Sequence, residues 1–60
     1  MKTYYNKIGD KMYWYFYDTS TKFWTVYQVN NLGCQIGYAD YYANKKQLLA
    51  SYKFDFKNVL

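Results

Sequence analysis

Sixty residues suffice for one domain, and a chain this short buries only about 60% of the surface that its unfolded form exposes. Sixteen residues are Phe, Trp or Tyr, eight are lysine and four are aspartate, whereas histidine, arginine, glutamate and proline are absent. Cys34 is the single cysteine, so an intrachain disulfide is excluded, and the lack of histidine removes the common zinc ligand sets. Stability must therefore come from dense aromatic packing, from association with another chain, or from both.

The net charge of +4 permits attraction to nucleic acid or to acidic proteins, but the lysines are spread along the chain. The N-terminal residues contain no apolar core typical of a signal peptide. The longest apolar run, Met12 to Tyr17, is far shorter than the roughly 20 residues that a membrane helix needs. Together with the single cysteine, these features predict a cytoplasmic protein without a membrane segment.

The first predicted elements are two strands. Lys2 to Ile8 mixes apolar and polar residues and predicts an edge strand, and Gly9-Asp10 predicts a turn. Met12 to Tyr17 is the strongest strand pattern in the chain, because aromatic residues favour an extended, half-buried backbone.

A second hairpin follows. Asp18 to Thr21 is polar and turn-like, and Lys22 to Val29 predicts the return strand. Asn30 to Gly33 tolerates positive φ and predicts another turn. Cys34 to Tyr38 predicts one more strand after the return strand, and the next residues through Tyr42 can continue it. Gly37 within this strand predicts a bulge or a close backbone approach.

The helix is predicted from one apolar face, formed by Leu48, Leu49 and Tyr52. Two starts compete: Asp40, or Asn44 with Gln47 as a capping box, and we favour Asn44. After the helix, Phe54 and Phe56 alternate with charged residues, which predicts a strand or an extended tail that packs two rings. The predicted fold is α+β: a small antiparallel sheet of three or four strands with one helix packed on one face, in the order β-β-β-β-α with a possible C-terminal strand.

Strand alternation divides the hairpin rings between two faces. A turn centred on Thr19-Ser20 predicts that Tyr15 lies opposite Trp24. One face is then nearly all hydrocarbon, and we expect the helix to cover it; it carries Met12, Trp14, Phe16, Phe23 and Tyr27. The other face carries Tyr13, Tyr15, Tyr17, Lys22, Trp24, Val26 and Gln28.

The tyrosine-rich face is the predicted binding surface. One helix covers one face of a sheet, so the second face must be solvated, be covered by a terminus, or meet a partner. Tyrosine and tryptophan are enriched at the centres of protein interfaces. The predicted partner-binding residues are Tyr13, Tyr15, Tyr17, Lys22 and Trp24.

Catalytic chemistry is poorly represented. Without histidine and glutamate, the candidate general acids and bases reduce to four separated aspartates, whose expected role is to cap and solubilise turns. Cys34 has no histidine to activate it and is expected to be a small buried residue. The sequence therefore predicts no enzyme, no cofactor and no metal site.

The leading functional hypothesis is a non-enzymatic protein that uses its aromatic sheet face to bind another protein or a second copy of itself. Its size and composition suit a phage or mobile-element accessory protein, such as an inhibitor of a host factor. The first alternative is a weakly sequence-selective binder of single-stranded nucleic acid, in which the same rings stack bases near Lys22. The second alternative is a structural subunit of a larger assembly.

Overall fold

A computed structural model describes all 60 residues and confirms the predicted α+β fold. Four antiparallel strands form one sheet in the order β1-β2-β3-β4, and a short helix follows. The elements are β1 (Tyr4–Ile8), β2 (Lys11–Asp18), β3 (Phe23–Val29), β4 (Gln35–Tyr42) and α1 (Lys45–Ser51). No helix is both long enough and apolar enough to cross a membrane.

The β2–β3 turn fixes a register that differs from the predicted one. Tyr15 lies opposite Val26, and Trp24 lies opposite Tyr17, so the pairing is displaced by two residues. The loop is centred one residue later than predicted, because the Asp18 carbonyl accepts a hydrogen bond from Lys22 N–H and Lys22 adopts a left-handed φ of 63°. A displacement by two residues leaves every side chain of β2 and β3 on the same side of the sheet, so the division of the rings between the two faces is as predicted.

Strand β4 extends through Tyr42, as expected, and contains the predicted bulge. The pairing with β3 is irregular because residues 37–39 lie opposite Tyr27 alone. Gly37 takes a φ of 74°, which a residue with a side chain rarely adopts. The bulge leaves Tyr38 96% exposed.

Helix α1 begins as predicted. Asn44 is the N-cap, and its side chain accepts a hydrogen bond from Gln47 N–H at 2.9 Å. The Gln47 side chain in turn accepts a hydrogen bond from Ala43 N–H at 3.2 Å. Leu48 is fully buried, but Leu49 is 44% exposed, so the prediction that Leu49 belongs to the packed face is wrong.

The C-terminal residues form an extended tail, Tyr52 to Leu60, that lies along the same side of the sheet as the helix and pairs with β1 at its end. The tail packs two rings: Phe54 is buried and Phe56 is half-buried. Tyr4 and Val59 form an antiparallel bridge. Tyr5 N–H donates to the Asn58 carbonyl at 3.0 Å, and Leu60 N–H donates to the Thr3 carbonyl at 2.8 Å.

The helix and the tail cover the tyrosine-rich face, which corrects the prediction of which face forms the core. The core cluster consists of Tyr15, Val26, Leu48 and Phe54. Tyr13 and Trp24 pack against it. The nearly all-hydrocarbon face, predicted to lie under the helix, is covered by no other element of the chain. The helix and the tail together supply enough apolar surface to enclose a tyrosine.

The hydroxyl of Tyr15 makes burial of this residue tolerable, because the polar atom is hydrogen-bonded. It donates to Asn6 Oδ1 and accepts from Phe56 N–H, the latter at 3.2 Å. Asn6 also donates through Nδ2 to Asp55 Oδ1 at 3.2 Å. Phe56 has a left-handed φ of 59°, and this bond to Tyr15 helps to hold that backbone conformation.

We expect Tyr15→Phe to lower the free energy of unfolding by about 1–3 kcal/mol, because it leaves Phe56 N–H without its partner and removes one of the two donors to Asn6 Oδ1. Chemical denaturation followed by circular dichroism measures the change. Tyr17→Phe is the matched control, because the Tyr17 ring is partly exposed and makes no hydrogen bond through its hydroxyl. Equal stabilities of the two variants would contradict the structural role of the Tyr15 hydroxyl.

Candidate binding surface

The sequence-predicted binding residues lie on the covered side of the sheet or at its margin. Tyr15 is 0% exposed and therefore contacts no partner in the folded chain. Tyr13 and Trp24 are half-buried, and Tyr17 is partly exposed. Lys22 lies in the exposed β2–β3 turn. The structure thus encloses the centre of the predicted surface and leaves its edge accessible.

Aromatic stacking holds the tail over this covered face. Phe54 lies parallel to Tyr15, with ring centroids 4.0 Å apart, and parallel to Tyr52 at 4.8 Å. Phe56 contacts Tyr15 and Trp24 edge to face, at 5.1 and 5.4 Å. Such pairs contribute about 0.5–1.5 kcal/mol each beyond the area that they bury.

A lysine of the helix completes the cover. Lys45 Nζ lies 4.3 Å from the centroid of the Phe56 ring and 5.7 Å from that of Trp24. A cation over an aromatic face is attracted by the ring quadrupole. Lys45 therefore ties the helix to the tail.

Two titratable contacts also fix the tail. Tyr52 donates its hydroxyl hydrogen to Asp40 Oδ2 at 2.9 Å, and burial together with this bond raises the pKa of Tyr52 well above its usual value. The pKa of Asp55 is lowered because its carboxylate accepts from Lys57 N–H and from the Asn6 side chain. The Asp55 contribution to stability is thus lost as the pH falls through the lowered pKa.

The raised pKa of Tyr52 predicts an alkaline limit to stability. Its contribution is fully present below the pKa of an unfolded tyrosine, about 10, and is lost as the pH rises toward the folded value. In denaturation experiments between pH 9 and pH 11.5, we expect Tyr52→Phe to lose stability less steeply than the wild type.

The exposed residue Tyr38 provides the control for this titration. Tyr38→Phe should follow the wild-type slope, because the Tyr38 side chain is 96% exposed and its hydroxyl makes no hydrogen bond in the folded chain. A Tyr52→Phe slope equal to that of the wild type would show that the Tyr52 hydroxyl does not couple to folding.

The other side of the sheet, here called the open face, is a continuous aromatic surface. The strand register arranges its side chains in four rows that cross the sheet. The first row is Lys7, Met12, Val29 and Gln35; the second is Tyr5, Trp14 and Tyr27, and it ends at the β4 bulge. The third row is Phe16, Thr25 and Tyr41, and the fourth is Asp18 and Phe23.

The central rings of the open face are half-buried by one another, by the sheet and, at Trp14, by the β3–β4 turn. Trp14, Phe16 and Tyr27 all have intermediate exposure. The centroid of the Tyr27 ring lies 6.2 Å from that of Trp14 and 6.4 Å from that of Phe16, and both pairs pack edge to face. Rings that brace their neighbours in this way present a preformed surface at low entropic cost.

Gly33 sets the position of Trp14. A Cβ atom at Gly33 would lie 3.0 Å from Trp14 Cη2, and Gly33 has a φ of 79°. Glycine therefore allows both the β3–β4 turn and the close approach of the indole. The result is a cleft of about 340 Å³, whose lining includes Trp14, Val29, Lys7 and Asp10.

A shallow depression lies over the third row. Thr25 is buried and small, and it lies between the side chains of Phe16 and Tyr41 on the neighbouring strands. The depression is also lined by Tyr27, Ala39 and Tyr38. Large and small side chains thus alternate along β3 on the open face, whereas Met12, Trp14 and Phe16 on β2 are all large.

The edges of the sheet are less suited to a partner than its face. The tail covers the outer edge of β1 through two backbone hydrogen bonds. The outer edge of β4 is interrupted by the bulge at residues 37–39, a device that discourages strand addition. The open face is therefore the candidate binding surface of the sheet.

The structure brings together no catalytic or metal-binding set. The four aspartates lie apart: Asp18 caps the β2–β3 turn, Asp40 and Asp55 hold the tail, and Asp10 lies at the rim of the Trp14 cleft. No three His, Cys, Asp or Glu side chains lie close enough to hold a metal ion. Cys34 is exposed, so the expectation of a buried cysteine is wrong.

Comparison with known proteins adds no functional information. The chain matches no protein-family model, and no curated protein and no solved structure matches it. The functional argument therefore rests on the surfaces of this chain alone.

The contact between Gly33 and Trp14 yields a matched test of the open face. We expect Gly33→Ala to lower stability more than Gly9→Ala, because both glycines have positive φ but nothing lies within 4 Å of a Cβ at Gly9. Each variant loses roughly 1 kcal/mol from the left-handed backbone. Gly33→Ala should in addition shift the NMR signal of the Trp14 indole N–H, and an unmoved signal would contradict the contact.

Proposed function

We propose that this chain is a non-enzymatic binding protein whose open face engages another polypeptide. The observation that carries the proposal is the aromatic surface around Trp14, Phe16 and Tyr27, which the helix does not cover and which only the β3–β4 turn and the end of the tail approach. Apolar surface that is contiguous and rimmed by polar residues often marks an interaction site. The proposal moves the binding role from the tyrosine-rich face to the opposite side of the sheet.

The distribution of charge favours a protein partner over single-stranded nucleic acid. A nucleic-acid platform needs lysines beside the stacking rings. In the four rows of the open face, Lys7 is the single cation, and Asp18 opposes it. The helix and the tail, on the covered side, carry four other lysines: Lys45, Lys46, Lys53 and Lys57. The rings that are free to stack are therefore separated from most of the positive charge.

Three narrower hypotheses stay predictions: a cytoplasmic location, an origin as a phage or mobile-element accessory protein that inhibits a host factor, and a place as a structural subunit. Burial of the open face in a complex is common to the inhibitor and the subunit. The two hypotheses differ in the expected lifetime of the complex, because an inhibitor dissociates from its target and rebinds, whereas a structural subunit stays bound.

The open face is tested with a pair of variants matched in exposure. Phe23, on the open face, is 43% exposed, and Leu49, on the helix, is 44% exposed. Phe23→Lys and Leu49→Lys add the same charge to opposite sides of the molecule. Proteins retained from a lysate of the native host by immobilised wild type are identified, and the most abundant is purified and titrated against each variant.

We expect Phe23→Lys to weaken binding of the purified partner about tenfold or more, because it places a charge in a desolvated apolar contact. Leu49→Lys should bind as the wild type does. Equal affinities of the two variants, or a loss confined to Leu49→Lys, would overturn the proposal. Quenching of tryptophan fluorescence by an oligonucleotide at low salt, reversed as salt rises, would instead favour the nucleic-acid alternative.

A further inference from the structure

We infer that the open face is self-complementary and that its partner is a second copy of this chain, packed face to face. This inference rests on the proposed function and names the partner. The two sheets would stack about 10 Å apart, as in an aligned sandwich. The two-fold axis would run across the strands at the level of Tyr15 and Val26, which lie opposite each other between the second and third rows.

The first argument is the match of large and small side chains. A two-fold axis at this level exchanges the second row with the third. Tyr27 then faces the depression at Thr25 of the second copy, and Thr25 faces Tyr27 of that copy. On β4, the Tyr41 ring faces the bulge, where Gly37 and Ala39 present little bulk. On β3 and β4 each large ring thus meets a small residue. On β2 the exchange places Trp14 against Phe16 of the second copy, which forms an aromatic pair at the centre of the contact.

The second argument is charge. The four rows of the open face carry one cation, Lys7, in the first row and one anion, Asp18, in the fourth row. A further anion, Asp10, lies beside Lys7 at the rim of the Trp14 cleft. The same axis exchanges these rows and places Lys7 one strand away from Asp18 of the second copy. Adjacent strands are about 4.8 Å apart, within reach of a lysine side chain. A two-fold axis parallel to the strands would leave both charges without a partner.

The third argument is stability and size. Only six of the 60 residues are buried in the single chain, and Cys34 is free. Four strands about 4.8 Å apart and eight residues at about 3.3 Å each give a footprint of roughly 500 Å² per copy. The total of roughly 1,000 Å² lies at the lower end for a specific interface, so the dimer should be reversible.

The experiment is sedimentation equilibrium of the full chain from about 10 μM to 1 mM, at low salt. We expect the wild type to pass from monomer to dimer over this range, Leu49→Lys to behave in the same way, and Phe23→Lys to stay monomeric. A wild type that is monomeric throughout would overturn the inference. That result would not overturn the proposed function, because the titration of a heterologous partner decides it.

The orientation is tested with a second matched pair. Lys7→Glu should weaken the dimer roughly threefold to tenfold at low salt, because it faces Asp18 of the second copy, and the difference should vanish in 1 M salt. Lys11→Glu changes the same charge, but Lys11 pairs with Ile8 and lies on the other side of β2, so its dimer should match the wild type.

An isotope-filtered NMR experiment on a mixture of labelled and unlabelled chains gives a direct reading. We expect an intermolecular contact between the Thr25 methyl group and the Tyr27 ring. A dimer that lacks this contact, or one that Lys7→Glu leaves unchanged, would overturn the antiparallel face-to-face arrangement.

Discussion

The stacking of Phe54 on Tyr15 decides which side of the sheet becomes the interior. The two rings are parallel at 4.0 Å, and the Tyr15 hydroxyl is bonded on one side to Asn6 and on the other to the backbone of Phe56. A buried phenol without these bonds would be costly, because its polar atom would be left without a partner. The tail therefore does two things at once: it gives the Tyr15 hydroxyl a hydrogen-bond partner, and it buries the apolar rings.

The rest of the architecture follows from this contact. The tail must cross the side of the sheet that carries Tyr15, and Tyr52 leads into it from the helix, with its hydroxyl held by Asp40. Lys45 then lies over Phe56 and joins the helix to the tail. Beyond Phe56, the tail pairs with β1. The helix and the tail both pack on the Tyr15 side of the sheet, so neither of them packs across the Trp14 side.

Local sequence patterns predicted most of the fold. The prediction of which face forms the core was wrong because the two faces of the sheet are similarly apolar. The strands, the Gly37 bulge and the Asn44 cap each depend on nearby residues, and they are confirmed. Hydrophobicity favoured the Met12 face over the Tyr15 face, yet the difference is small because tyrosine is largely apolar. The deciding signal lay in the alternation of Phe54 and Phe56 with charged residues, which marks a segment that must bury one side. The alternation predicts a strand or an extended tail, but it does not by itself choose the face of the sheet on which the segment packs.

The aromatic excess that builds this fold also explains why an uncovered face persists. A strand that is aromatic at nearly every position, as β2 is from Met12 to Tyr17, presents rings to both sides of the sheet. A chain of 60 residues supplies one helix and one tail, and Tyr15 directs both of them to the same side. Neither the helix nor the tail then lies over Phe16 and Tyr27, and only the β3–β4 turn approaches the indole of Trp14. In the proposed dimer, an inverted copy of the same face would bring Lys7 of one copy toward Asp18 of the other and would set Tyr27 against Thr25.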